Sequence, residues 1–400
     1  MTRRRERGSA MVLVVVGILA LIAMAGLALD TAHVLLNKAR LQSALDAAAL
    51  AGAKVLDSTN STVLASGAAT SVFGSNVQPF TELKNAGLTL TTQFSSTLNP
   101  FNAGTTPAAF VRASITGFTT KMSLSSVLGI TSINVGGSAV AGPSPSLVQA
   151  CNIVPVAVCS TTAAGPPLYG YTANQVVGLN QTAGTASTIG PGNYGLLALG
   201  GNGAATVRTN LAGDYAGCGA VGNTLPTEPG VAAGPVSQGI NTRFDEYKGG
   251  LSSTTYPPDP INSTAHQTSL STAGNGNIMQ GGTVITTASQ LTFNYANYTA
   301  LLASQTYDTQ PLPSGIAAFG RRILAAPLVD CTGQANGKNT VAVNGFACMF
   351  LLQDLGTGSN DVIYAQILSG CNATGKIGAG SSSTGPHVIE LYKSAGSPDS

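Results

Sequence analysis

The stretch GSAMVLVVVGILALIAMAGLALD runs from Gly8 to Asp30 and carries no charge before that aspartate. Arg3, Arg4, Arg5 and Arg7 stand immediately before it. A helix of the 22 residues Gly8–Leu29 is about 33 Å long at about 1.5 Å per residue, which suffices for a hydrocarbon core of about 30 Å. Arginines on one side and an abrupt aspartate on the other predict a single membrane span. By the positive-inside rule, residues 1–7 form a cytoplasmic basic tail and everything after Leu29 is extracytoplasmic. A cleaved signal peptide is the competing reading, with Ala23-Met24-Ala25 as its small-residue site, but the apolar stretch is longer than a secretory one needs. Prepilin-type processing after Gly8 requires a glutamate five residues on, where Leu13 stands. An uncleaved anchor is therefore expected.

Past Asp30 the helical pattern continues. Leu41, Leu45, Ala48, Gly52 and Val55 recur at spacings of four and three, the apolar stripe of one helix face. Asn37, Arg40, Ser43 and Asp46 lie off it. The small side chains from Ala47 to Ala53 permit close approach of a neighbouring helix or sheet, whether the protein's own or a partner's.

The order of these features is distinctive: an Arg-rich start, one span, Asp30, then Leu41-Gln42-Ser43-Ala44-Leu45-Asp46-Ala47-Ala48-Ala49-Leu50-Ala51-Gly52-Ala53. It resembles the TadG-like N-terminal segment of Flp/Tad pilus-assembly proteins. The residues carrying the resemblance are Asp30, Leu41, Gln42, Ala44, Asp46, Ala47, Ala48, Ala49 and Leu50, and it covers about the first 55 residues. It implies a single-pass protein of the bacterial inner membrane, in contact with lipid and with other pilus-assembly or envelope proteins.

The remainder predicts an α+β chain: a small α+β unit over 30–142, then a mostly β extracytoplasmic domain over 147–400 with long Gly/Thr/Asn-rich loops. Residues 57–85 read as a loop or weakly helical connection. Strands are expected at Leu88–Phe94, Ala109–Phe118 and Ile133–Ala141, with a short helix at Met122–Leu128, and Gly142-Pro143-Ser144-Pro145-Ser146 marks a boundary. Beyond it, short apolar runs such as Ile323–Val329, Thr340–Val343, Phe346–Leu352 and Val362–Leu368 read as strands. Asn344-Gly345 signals a hairpin turn between two of them. Loops are expected at 181–193, 200–235 and 252–282.

Cys151, Cys159, Cys218, Cys331, Cys348 and Cys371 all fall on the exported side, and an even number there predicts disulfides. No two are close enough for a C-x₂₋₄-C zinc pair. Were 151–159 one extended strand, Cys151 and Cys159 would lie about 26 Å apart, too far to pair with each other. Pro155 weakens that strand, so the pairing stays open.

Composition narrows the function further. Only 8% of residues are charged and the net charge is +2, against about 25% charged in an average globular protein. That excludes a basic nucleic-acid-binding surface. A hydrophobic share of 44% is enough for a packed core. No nucleophile elbow and no Walker A sequence occurs, and the glycines at Gly201 and Gly203 continue into Thr206 where a dinucleotide loop needs its third. His33, His266 and His387 have no ligand-spaced neighbours. Asp57-Ser58-Thr59-Asn60-Ser61 mimics a metal-ion-dependent adhesion motif but follows an alanine-rich helix rather than a buried strand. It reads better as a helix-ending loop. Asn60, Asn180, Asn262, Asn297 and Asn372 open N-x-S/T sequons, expected by chance here. No catalytic group, metal or cofactor is assigned. The expectation is a non-enzymatic, membrane-anchored pilus-assembly component that scaffolds or tethers; a secreted adhesin or envelope-layer protein is the alternative. Oligomeric state is not legible.

Overall fold

One helix, α1 (Ser9–Thr59), carries the apolar run and continues through the alanine-rich block without a break. The computed structural model describes residues 9–160, 165–179, 193–230, 233–332, 337–356, 362–380, 382 and 384–393. The most apolar eighteen-residue window of α1 has a mean hydropathy of 3.0, and only 6% of it is buried. A core helix of a soluble protein would be covered; this one is long and apolar enough to cross a membrane and is bare. The described chain forms two units, one of residues 9–53, 65–142 and 391–393, the other of 54–64 and 143–390.

In the first unit α1 lies with α2 (Thr62–Val77) over an antiparallel sheet of β1 (Thr91–Ser95), β2 (Phe110–Lys121) and β3 (Ser132–Pro143). Val111, Ala113 and Ile115 are buried at every second position. A bulge between Ile115 and Phe118 then shifts the phase, so that Phe118 and Thr120 are the buried ones. One inserted residue flips which side chains face the core, and here it keeps a long strand buried past its bend. Of the two readings of 57–85, a loop or a weakly helical connection, the helical one holds: α2 buries Ala65, Ala69, Phe73 and Val77. That spacing of four makes an amphipathic stripe out of a Ser/Thr/Gly-rich segment, and tertiary burial outweighs weak helix propensity.

The second unit is built on a sheet in which β4 (Val158–Ser160), β6 (Ile323–Asp330), β7 (Thr340–Leu351), β8 (Ile363–Leu368) and β5 (Val176–Leu179) lie side by side in that order. All neighbours are antiparallel except β4 with β6. Both faces are covered, which explains the unbroken apolar run Phe346–Leu352. Ala347, Met349 and Leu351 pack with Val207, Leu211, Val236 and Ile240 of two helices, Ala204–Ala212 and Ala233–Asn241. Cys348, Phe350 and Leu352 pack on the other side with Tyr298 and Leu302 of the helix Tyr295–Ala303.

The hairpin expected at Asn344-Gly345 does not form. β7 runs straight through, and the register steps from Leu328 opposite Gly345 to Val329 opposite Val343, leaving Asn344 as a bulge. Asn344 donates its side-chain amide to Ser160 Oγ at 2.9 Å. A Cβ at Gly345 would come within 2.8 Å of the Tyr169 ring. Glycine is there for a close approach, not for a turn.

The polar centre of this unit is Arg322, fully buried. Its guanidinium donates to the carbonyls of Ile261, His266, Leu351 and Leu352 at 2.8–3.2 Å and lies over the rings of Phe244 and Phe350. Asp259 accepts the Arg322 backbone N–H and the Tyr298 hydroxyl. Burial pushes the Asp259 carboxyl up to about 6, even with the Arg322 charge pulling it down.

Candidate functional site

The site the sequence singles out is the helix leaving the membrane. Gly26, Asp30, Asn37, Leu41, Ala44, Ala48 and Gly52 are buried along one face of α1. Asp30, which the sequence shows only as the charge that ends the span, is almost fully covered at 6% exposed. Its carboxylate accepts the backbone N–H groups of Ser123, Leu124 and Ser125 at 3.2, 2.9 and 2.6 Å. These open the single-turn helix Ser125–Leu128 at the tip of the β2–β3 hairpin. The first N–H groups of any helical turn lack internal partners, and a carboxylate satisfies them well. One and two turns further along, His33 Nε2 and the Asn37 amide both reach Glu82 Oε2 at 2.8 Å.

The motif block continues the same packing. Leu41, Ala44, Leu45, Ala48 and Ala49 are at most 1% exposed. Gln42 donates to Asp46 Oδ1 at 2.8 Å and to the Ser138 carbonyl on β3 at 3.1 Å. A Cβ on Gly52 would stand 3.2 Å from Val111 and 3.3 Å from Ala69, and one on Gly137 would stand 3.1 Å from Leu45. The small residues therefore seat α1 on its own sheet and on α2. Ala47 and Leu50 stay half-buried. Arg3, Arg4, Arg5 and Arg7 lie outside the described residues, as does Asn180.

In the second unit α1 ends at Thr59, and Asn60 turns the chain with a φ of 52°. The Ser58 and Thr59 hydroxyls donate to the Val55 carbonyl, and Ser61 Oγ accepts the Leu64 N–H. Asp57 instead meets the buried His387 Nε2 at 2.8 Å, beside a cleft of about 390 Å³ that Tyr295 and Phe319 help to line. Burial, with Asp57 second, pushes the Tyr295 phenol up and keeps it neutral. Three of the five motif side chains thus serve the helix end and one the contact with His387. Among the described residues no group of three or more His, Cys, Asp or Glu is arranged to hold a metal ion. All three histidines pair with carboxylates, His266 with Asp308 at 2.9 Å. Local spacing could not reveal partners 42 to 330 positions away.

The six cysteines form Cys151–Cys218, Cys159–Cys331 and Cys348–Cys371. Cys151 and Cys159 do not pair with each other. In the chain-entropy account the closed loops of 67, 172 and 23 positions are worth about 3–5 kcal/mol apiece.

Residues 8–55 match the family model described as "Putative Flp pilus-assembly TadE/G-like". The match covers the span and the motif block, and it supports a role related to Flp pilus assembly. No curated protein and no solved structure is significantly similar to this chain.

Proposed function

We propose that this protein is a non-enzymatic component of Flp pilus assembly that tethers a disulfide-bonded exodomain to the inner membrane. The observation that carries the reading is the coincidence of the 8–55 match with a bare apolar helix whose far half is built into a folded unit. A helix used only for targeting has no need of a face shaped to the exodomain. Here one rigid rod begins in the bilayer and ends in a core, so it fixes the height and orientation of its own unit above the membrane. By the positive-inside rule, the arginines at 3–7 favour a cytoplasmic N-terminus. Partners are other pilus-assembly or envelope proteins, met by the exported part. Deleting the gene in its host should reduce surface pili and attachment, with rescue by the full chain and not by a secreted version lacking residues 1–29. Normal piliation in the deletion strain would overturn the reading, and rescue by the secreted version would overturn tethering.

A further inference from the structure

The apolar surface of α1 does not stop where its uncharged run stops. Leu35 and Leu36 lie beyond Asp30 and remain 60% and 47% exposed, comparable with Leu29 at 64%. From Met11 to Leu36 the helix shows lipid-like side chains over about 39 Å at about 1.5 Å per residue, roughly two turns more than a core of about 30 Å requires. The polar groups in this stretch are partnered within the protein: the exposed Thr31 hydroxyl donates to the Leu27 carbonyl at 2.7 Å. Asp30 is sealed under the backbone of 123–125, and His33 and Asn37 are tied to Glu82. A helix whose polar groups are hydrogen-bonded within the protein and whose leucines are bare has the arrangement a membrane interface selects, because unpartnered polar groups are costly there and bare leucines are not.

The hairpin tip that performs the sealing also exposes large apolar side chains, one of them between the exposed Ser123 and Ser126. A Cβ on Gly26 would lie 2.8 Å from the Leu124 Cβ, so Leu124 stands level with Gly26. That is about 6 Å below Asp30 at about 1.5 Å per residue, alongside the span itself. Its side chain is nevertheless 48% exposed, and Ile130, across the turn, is 42% exposed. Glycine at 26 is what allows the approach. In water this tip would spend two large apolar side chains for nothing; beside the lipid-facing leucines of α1 it continues their surface.

We propose that the β2–β3 hairpin tip is embedded in the membrane interface, with Leu124 and Ile130 among the lipids and the water boundary near Lys38 rather than Asp30. The first unit would then stand on the bilayer at two points, the span and the tip, which restrains rotation about the helix axis as well as height. This rests on α1 being a membrane span.

The six native cysteines are paired, so a single introduced cysteine can be labelled selectively. Full-length chains bearing Leu124→Cys, Ile130→Cys, Leu21→Cys or Thr70→Cys would carry a fluorophore into phosphatidylcholine vesicles whose acyl chains bear nitroxide quenchers. Cysteine keeps the Cβ that packs on Gly26. Thr70 is an exposed control: its neighbour Ala69 touches α1 at Gly52, about 33 Å beyond Asp30 along the helix. Loss of emission at 124 and 130 comparable with that at 21, and none at 70, is expected. Quenching at 21 with 124 and 130 no dimmer than 70 would overturn the embedded tip and leave the anchor standing. No quenching at 21 would overturn both.

Discussion

The two units stabilise similar compositions by different means. The first contains no cysteine and relies on closeness: Gly52, Ala48 and Ala49 bring a helix onto a sheet with little bulk between them. The second carries all three disulfides, a sheet covered on both faces and a buried arginine held by carbonyls. A chain with few charges and many glycines pays heavily in backbone entropy on folding. The first unit meets that cost with contacts along one long helix, which nucleates once and propagates over many residues. The second has long connections between short strands, and cross-links reduce the freedom of its unfolded state instead.

Reduction separates the two most sharply. Three bonds at about 3–5 kcal/mol each exceed or match the whole net stability of a typical domain, about 5–15 kcal/mol. Thiol reductant in mild urea should abolish amide exchange protection across β6, β7 and β8 while leaving β1, β2 and β3 protected. Titration before reduction should find no free thiol. Equal loss of protection in both units would break the contrast.

The next largest effect tests closeness in the first unit. Gly52→Leu must force Val111, Ala69 and the Ala65 carbonyl apart, and overpacking of this kind costs about 1–3 kcal/mol. Gly67 on α2 has open space around its Cβ position, so Gly67→Leu should instead gain up to about 1 kcal/mol from helix propensity. Exchange protection of β2 amides reads both. If the two substitutions behave alike, helix propensity rather than packing governs this unit.

How much of this was legible beforehand follows from what each element depends on. α1 was legible because its signals are local: an uncharged run, then a stripe at spacings of four and three. The alternating strand β2 and the short apolar run of β8 were legible for the same reason. The helix Tyr295–Ala303 was not. Its start is a reciprocal cap between Asn294 and Asn297, and an Asn pair lacks the Glu or Gln that marks the usual form. Ala204–Ala212 sat inside an expected loop because glycines surround it. Asn344-Gly345 misled because a turn signal and a bulge use the same residues, and only Tyr169, far away in sequence, decides between them. The candidate site was half visible. The motif block could be read, but the role of Asp30 depends on three backbone groups more than ninety positions away, and no side-chain pattern records those.

The smallest expected effect is the acid dependence that one carboxylate, Asp308, contributes to the second unit. Asp308 accepts the backbone N–H groups of Asn262 and Ser263 at 2.8 and 2.9 Å and meets His266 Nδ1 at 2.9 Å. Burial pushes its carboxyl up, but the Ser263 N–H and His266 pull harder, and it ends below the ordinary carboxylate range. A carboxyl lowered in the folded state contributes stability that is fully present above its unfolded value of about 3.9 and is lost as pH falls through the lower folded value. Urea midpoints followed by β7 exchange protection should therefore fall as the pH drops below about 4. Asp308→Asn removes the charge but keeps an oxygen where Oδ2 accepts both N–H groups. It should cost about 1–2 kcal/mol at neutral pH, the scale of a charged hydrogen bond, and make that acid limb shallower. The first unit has no part in this contact, so its own midpoints should be the same in both proteins at every pH. Parallel acid limbs in wild type and variant would mean that the folded unit holds Asp308 no more tightly than the unfolded chain does, and the contrast between the units would then rest on cross-links and packing alone.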